Sequence, residues 1–231
     1  MSKLLRPARV LLLGPPGSGK GTQTARLQNK FDLCGISSGD ILRQHINNGT
    51  EIGQMASSII KTGKLVPDDV MIKIISAELA LRNWLSPTKS WLLDGFPRTR
   101  VQAEKLDEAE LRPADARLNF VVELKVPTAV ILDRIANRLV HAQSGRVYNL
   151  TYNPPKVSGV DDFTGEPLTR RPDDDPDIFA KRIEEYERLT EPLVDYYKKA
   201  DNVLWSVAGD TSDVIYAQLE KEVVKRFGDR V

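Results

Sequence analysis

Residues 14–22, GPPGSGKGT, follow directly on the apolar run RVLLL (9–13) and lead into TQTARLQNK (22–30), a stretch of helical character. Strand, glycine-rich loop and helix come in the order that a phosphate-binding loop requires. Gly14, Gly17 and Gly19 let backbone N–H groups converge on phosphate oxygens, the helix start adds its positive dipole end, and Lys20 neutralises the β- and γ-phosphates. The common form of this loop places Ser or Thr directly after the lysine. Here that place holds Gly21, and the hydroxyl arrives one residue later, at Thr22.

A second cluster lies in WLLDGFPRT (91–99), where an apolar strand ends in Asp94, a carboxylate able to reach Mg²⁺ or its water shell. Gly95 allows close approach and Arg98 offers a cation for phosphate. The segment VPTAVILDRIANRLVH (126–141) is expected to begin a helix at or near Pro127, with Ile131, Leu132, Ile135 and Leu139 as its apolar stripe. Arg134 and Arg138 then lie together beside that stripe. A like-charge pair at this spacing costs a few tenths of about 1 kcal/mol, so its placement implies an anion supplied from outside. Arg170 and Arg171 follow a turn-rich stretch, and Arg182 shares a helical face with Phe179 and Tyr186. With Lys20, Arg43 and Arg98 these cations exceed what one triphosphate needs, so two phosphorylated substrates facing each other are expected. Phosphoryl transfer needs little covalent help from protein, but arginines on the transferring group are worth roughly 10³ to 10⁵ in rate.

The elements that must position these residues are legible as apolar runs at 9–13, 33–37, 91–94, 118–124 and 203–207, separated by helical stretches. Near-continuous apolar strands alternating with helices imply a parallel sheet covered on both faces, with ligands at the carboxyl ends of the strands. VPDDVMIKIISAELALR (66–82) reads as a helix, with Asp68 and Asp69 at its positive end, Arg82 at its negative end, and Val70, Met71, Ile74, Ile75 and Leu79 on one stripe. Residues 141–172, rich in Gly, Pro, Asn and Asp, read as a small β insertion.

The chain has 231 residues, a net charge of +1 and 28% charged residues, so any basic site is local, and no nucleic-acid-binding surface is expected. No apolar run approaches the ~18 residues of a membrane span. The lone Cys34 excludes an internal disulfide and is expected to be a small buried apolar residue; His45 and His141 lack Cys or His partners at metal spacing. NKFD (29–32) and DFTG (162–165) match guanine-switch motifs, but in reversed chain order, and both are chance matches. The N-terminal Lys3, Arg6 and Arg9, with no acidic residue before Asp32, resemble an organelle-import segment that stays uncleaved because it runs into a strand the fold needs.

Together, GPPGSGKGTQ, ISSGDILR, GKLVPD, WLLDGFPRT, the arginines of DRIANR, SGRVYNLTYNPPK, DDFTGEPLTRR and KRIEEY resemble the adenylate kinase family in order and spacing over essentially the whole chain. The resemblance implies an α/β, phosphate-loop NTPase-like three-layer fold with a five-stranded parallel sheet, a helical AMP-binding insertion at 37–66 and a small β lid at 137–174. It also implies that Gly17, Ser18, Gly19, Lys20, Gly21 and Thr22 hold the donor phosphates, with Val147, Tyr148 and Thr211 contacting the donor nucleotide. Ser38, Arg43, Lys64, Leu65, Val66, Gly95, Phe96, Pro97, Arg98 and Gln102 are implied for AMP, and Arg134, Arg138, Arg171 and Arg182 for the phosphates when the lid closes. Asp94 would reach Mg²⁺ through water.

Some members hold the lid with zinc on four cysteines; here His141, Ser144, Asp161 and Thr164 would form a hydrogen-bonded substitute without zinc. WLLDGFPRT, LNFVVELKVP and GRVYNLTYNPPKV resemble the mitochondrial GTP:AMP phosphotransferase branch, implying GTP as donor, a matrix location and a monomer. ATP as donor with a cytoplasmic location, another acceptor such as UMP, CMP or dTMP, and a nucleotide-gated binding protein without turnover are the alternatives.

Overall fold

The structure, a computed structural model, describes residues 4–199 and 203–228. Lys3 of the basic N-terminal stretch lies outside them. Five parallel strands form the central sheet: β1 (Arg9–Leu13), β2 (Cys34–Ser37), β3 (Trp91–Asp94), β4 (Phe120–Lys125) and, late in the chain, β7 (Leu204–Ala208). Their spatial order is β2-β3-β1-β4-β7, with Leu12 beside Asp94 and Leu11 beside Val121 in the register. The five apolar runs therefore became the five strands.

Strand alternation makes two cores from one sheet. Leu11, Leu13, Ile36, Trp91, Leu93 and Val121 point to one face, which α4 (Asp68–Leu81) covers through Met71, Ile74, Ile75 and Leu79. Val10, Leu12, Leu92, Phe120 and Val122 point to the other, where Leu27 of α1 (Lys20–Lys30) and Ile215, Leu219 and Val223 of α9 (Ser212–Phe227) pack. Continuous apolar runs were required because β1, β3 and β4 are buried on both faces.

Two helices, α2 (Ser38–Asn47) and α3 (Glu51–Ile60), fill the connection after β2. After β3, α5 (Arg100–Lys105) continues as a π-helical turn (Leu106–Leu111). Beyond β4 come α6 (Thr128–Ala136) and a two-stranded antiparallel unit, β5 (Arg138–Val140) and β6 (Val147–Asn149), extended by isolated bridges Val140 to Thr169 and Val160 to Pro167. α7 (Pro176–Glu185), a π-helical turn (Tyr186–Thr190) and α8 (Leu193–Lys198) return the chain to the sheet.

Two expectations are corrected. Cys34 is exposed rather than buried, because it opens an edge strand where its side chain has no covering layer. The helix from Pro127 does not run through Arg138: it ends at Ala136, where Asn137 leaves helical geometry (φ −103°, ψ 7°) and its Nδ2 donates to the Asp133 carbonyl at 3.0 Å. Ile131 and Ile135 are buried as expected, but Leu132 is 52% exposed and Arg138 belongs to β5.

Candidate functional site

At the carboxyl ends of β1 and β3 opens a cleft of about 1350 Å³. The phosphate loop forms its floor. Gly17 (φ +79°) and Gly19 (φ +95°) take the left-handed region that side chains rarely adopt, and a Cβ on Gly17 would lie 2.8 Å from Ile131. Both glycines are thus needed before any ligand is considered. Ser18 is buried; its amide donates to the Pro15 carbonyl at 3.1 Å, and its Oγ has no partner.

Lys20 folds back over this loop, its Nζ donating to the carbonyls of Gly14 at 2.7 Å and Pro15 at 2.9 Å. Burial pushes its pKa down to about 8, with Asp94 opposing and Arg98, Arg182 and Arg138 adding to the shift. Burial likewise raises the pKa of Asp94 at the end of β3, which Lys20 and Arg98 counter. Gly21 faces this carboxylate: a Cβ there would meet only Asp94 Oδ2, at 3.7 Å. Thr22 is exposed to the cleft.

Arg98 reaches the cleft from the loop after β3, where its Nε donates to the Gly95 carbonyl at 2.6 Å. Ser38 Oγ donates to the same carbonyl at 2.7 Å. Gly95 (φ +78°) is required by this convergence, since a Cβ would fall 2.7 Å from Ser38 Oγ and 2.8 Å from the Arg98 guanidinium. Burial, then the neighbouring Arg182, lowers the Arg98 pKa to about 10. Arg171 is also pushed down to about 10, by burial and by Arg43 and Arg138, and its Nε is buried without a partner. A guanidinium stays charged at neutral pH regardless, so these shifts report positive charge crowded out of water without full compensation.

The remaining arginines are partly paired. Arg134, at the end of α6, donates to the carbonyls of Ser18 at 3.1 Å and Asp210 at 3.0 Å. Arg138, on β5, instead forms a two-pronged ion pair with Asp174. The expected side-by-side helical pair does not exist; the two arginines reach the cleft from different elements because the helix stops at Ala136. Arg182 donates to the Asp173 carbonyl at 3.1 Å, pairs with its carboxylate at 2.6 Å and lies over the Phe179 ring at 5.8 Å. Arg43 pairs with Asp40, and Arg170 is exposed at the rim.

Lys64, Leu65, Val66, Gly95 and Pro97 line one end of the cleft. Ser38 and Gln102 border a side cavity of about 20 Å³ beneath it. Phe96 differs, its ring being buried in the core. Val147 and Tyr148 line the other end, where the Tyr148 ring is buried and its hydroxyl donates to Asp161 at 2.9 Å. Thr211 borders the cleft too, but its hydroxyl accepts the Val214 amide at 3.2 Å as the cap of α9.

The predicted polar corners of the β unit do come together. His141 Nδ1 meets Ser144 Oγ at 2.7 Å, and Thr164 Oγ1 donates to Asp161 at 3.0 Å. Sequence reasoning missed Glu166, 2.6 Å from His141 Nε2, and Arg146, which holds Asp161 through two bonds of 2.8 and 2.6 Å. It also missed Asp173 and Asp174, although the run RRPDDDP juxtaposes them with Arg171, and Thr190, whose hydroxyl donates to the Arg98 carbonyl at 2.8 Å. For Thr190 no sequence signal existed, since 92 residues separate it from Arg98.

Comparison with known proteins bears on this geometry. The family model described as "Adenylate kinase" matches residues 12–202. The chain is 55% identical over 229 residues to "GTP:AMP phosphotransferase, mitochondrial" from Saccharomyces cerevisiae, covering 99% of this chain and 97% of the relative. A relative of the same name, from a defined strain of that species, is 56% identical over 217 residues, 94% of this chain and 96% of its own.

Proposed function

The chain belongs to the adenylate kinase family, and from that premise we propose that this phosphotransferase moves the γ-phosphoryl group of GTP reversibly to AMP, giving GDP and ADP. The observation that carries the reading is the ring of Lys20, Arg98, Arg134, Arg138, Arg171 and Arg182 around one cleft, far more positive charge than the carboxylates beside it balance. GTP as donor is supported by the names of both relatives, as is a mitochondrial location, within which the matrix is our proposal. Among the described residues no helix is long and apolar enough to cross a membrane.

In this proposal the loop from Gly17 to Thr22 and Lys20 receive the donor phosphates, while Arg98, Ser38, Arg43 and Gln102 receive AMP. Residues 37–66 act as the acceptor-binding insertion and 137–174 as a lid that brings Arg138 and Arg171 onto the transferring group. The acceptor phosphate oxygen is already ionised at neutral pH, so no general base is needed. Catalysis then consists of holding two phosphates in line and neutralising the charge between them, with water excluded by the closed lid. Arg171, whose Nε is without a partner, has donor capacity in reserve for this task.

The residues suit Mg²⁺ carried by the nucleotide. Asp94 is 8% exposed and acts on Lys20, and among the described residues no three His, Cys, Asp or Glu side chains converge as a cage. One carboxylate working through water is the usual protein share for a cation bound mainly by phosphate oxygens. When bound, Mg²⁺ would supply charge neutralisation on the donor phosphates. We read the lid as held by its own hydrogen bonds without zinc, and the enzyme as a monomer acting on free nucleotides.

The test is a coupled assay with AMP and either GTP or ATP. A higher kcat/KM with GTP is expected; a preference for ATP would overturn the donor assignment. Replacing AMP by UMP, CMP and dTMP is expected to abolish turnover, and faster transfer to any of them would overturn the acceptor assignment. Absence of transfer from both donors would leave a nucleotide-gated binding protein.

A further inference from the structure

Gln102 lies at the base of the acceptor side, 2% exposed, bordering the side cavity with Ser38, Leu65, Val66 and Arg98. The two ends of its carboxamide have nearly the same shape and opposite hydrogen-bonding character. Its Oε1 accepts the backbone N–H of Arg98 at 2.7 Å, and its Nε2 donates to Asp68 Oδ1 at 2.9 Å. A backbone N–H can only donate, and an ionised carboxylate can only accept. Turning the carboxamide over would set donor against donor and acceptor against acceptor inside the protein, where each unmet group is costly.

Asp68 is itself held in place. The Thr99 hydroxyl donates to the same Oδ1 at 3.0 Å, while Thr99 Oγ1 accepts the Gln102 amide at 3.2 Å as the cap of α5. The starts of α4 and α5 are therefore tied through one carboxylate oxygen, although 34 residues separate Asp68 from Gln102. After these bonds the carboxamide keeps one N–H and one lone pair free for a ligand.

We propose that Asp68 is a specificity-determining positioning residue: by fixing the orientation of the Gln102 carboxamide it makes the acceptor site prefer a 6-amino purine to a 6-oxo purine. This rests on the proposal above that Gln102 receives AMP, and places its carboxamide against the base. Adenine offers a donor at N6 and an acceptor at N1. Hypoxanthine, the base of inosine monophosphate (IMP), reverses both, with an acceptor at O6 and a donor at N1. A carboxamide free to turn accommodates either pattern, whereas a fixed one satisfies a single pattern for a base whose sugar phosphate is already held. Sites built on such paired hydrogen bonds discriminate strongly because the wrong partner leaves buried polar groups unmet.

The experiment measures kcat/KM for AMP and for IMP, with GTP as donor, in the wild type, Asp68→Ala, Asp68→Asn and Gln102→Ala. Asp68→Ala is expected to lower the AMP-to-IMP ratio roughly tenfold, and the isosteric Asp68→Asn by less, with KM for GTP within about twofold of wild type. Asp68→Asn preserves the packing should Asp68→Ala fail to fold. If AMP and IMP decline together and the ratio stays at its wild-type value in both Asp68 variants, Asp68 serves only to join the helices and the inference is overturned. Gln102→Ala separates the two layers: a collapsed ratio there with unchanged ratios in the Asp68 variants overturns this inference alone. A wild-type ratio in Gln102→Ala overturns both the inference and the assignment of Gln102 to the base.

Discussion

Around Asp161, in the β5–β6 unit, a buried charge is fully answered from within: two bonds from Arg146, the hydroxyls of Tyr148 and Thr164, and the backbone amides of Phe163 and Thr164 all point at one carboxylate. Around Lys20, Arg98 and Arg171, across the cleft, buried charge is left largely unanswered, and burial pushes all three pKa values down. The Asp161 pKa falls too, but for an acid this favours the charged form: Arg146 and its other donors hold it well below the usual carboxylate range. The first arrangement spends its charges on holding a small unit together that has few apolar residues to bury. The second keeps cations desolvated in the folded protein, which is tolerable where an anionic ligand supplies the missing partner.

The contrast is most exposed to failure at Lys20. Lys20→Met is expected to lower transfer from GTP to AMP by roughly 10³-fold or more, while the melting temperature changes by only a few degrees, because the loss of a desolvated charge is offset by the loss of the main cation beside Asp94. Steady-state rates and thermal melts check both halves; a variant within tenfold of wild-type turnover breaks the comparison. Next in size is Arg98→Ala, for which kcat/KM for AMP should decline on the order of 10²-fold or more with donor Kd nearly constant. Calorimetry with the donor alone decides this, since equal losses for donor and acceptor would show that the cations do not divide between two substrates.

Asp161→Asn probes the opposite cluster. It should lower the melting temperature by several degrees and strip amide-exchange protection from residues 138–169, leaving β1, β3 and β4 protected. The acid side follows from sign: a carboxyl held below its unfolded pKa of about 4 contributes stability above that pH, lost as pH drops further. Exchange rates that rise in the central sheet as much as in the β unit would contradict a local role for Asp161.

The smallest effect concerns protons. In the free protein Lys20 is half-deprotonated near pH 8, below the usual lysine value, and in the proposed assignment donor phosphates would restore its charge. Donor binding at pH ~8.5 should therefore take up protons, and affinity should weaken by at most about tenfold per pH unit above 8. At pH ~6 Lys20 is charged in both states and contributes no uptake. Binding heats in buffers of different ionisation enthalpy report this, and uptake that persists in Lys20→Met would assign it elsewhere.

Legibility in the sequence followed the range of the interactions. β1, β3 and β4 were readable because both-face burial imposes unbroken apolar runs, and the phosphate loop because left-handed backbone at Gly17 and Gly19 imposes glycine; the edge strands β2 and β7 were marked by shorter apolar runs alone. The end of α6 was not readable: apolar spacing carried on to Leu139, and the stop at Asn137 depends on a side-chain bond and on the strand pairing of Arg138 with Asn149. Cys34 was misjudged for a related reason, since composition cannot tell an edge strand from a central one.

By itself, then, the sequence determined the sheet, the loop, the stock of cations and the family resemblance, all of which are written in residue type and short spacing. Tertiary structure alone decided which polar group met which partner: Arg138 with Asp174, the Arg98 carbonyl with the Thr190 hydroxyl and the Gln102 carboxamide with Asp68 lie 36, 92 and 34 residues apart. A charge or an amide has no preferred partner along the chain. It acquires one only when folding removes water and brings a matching group within about 3 Å.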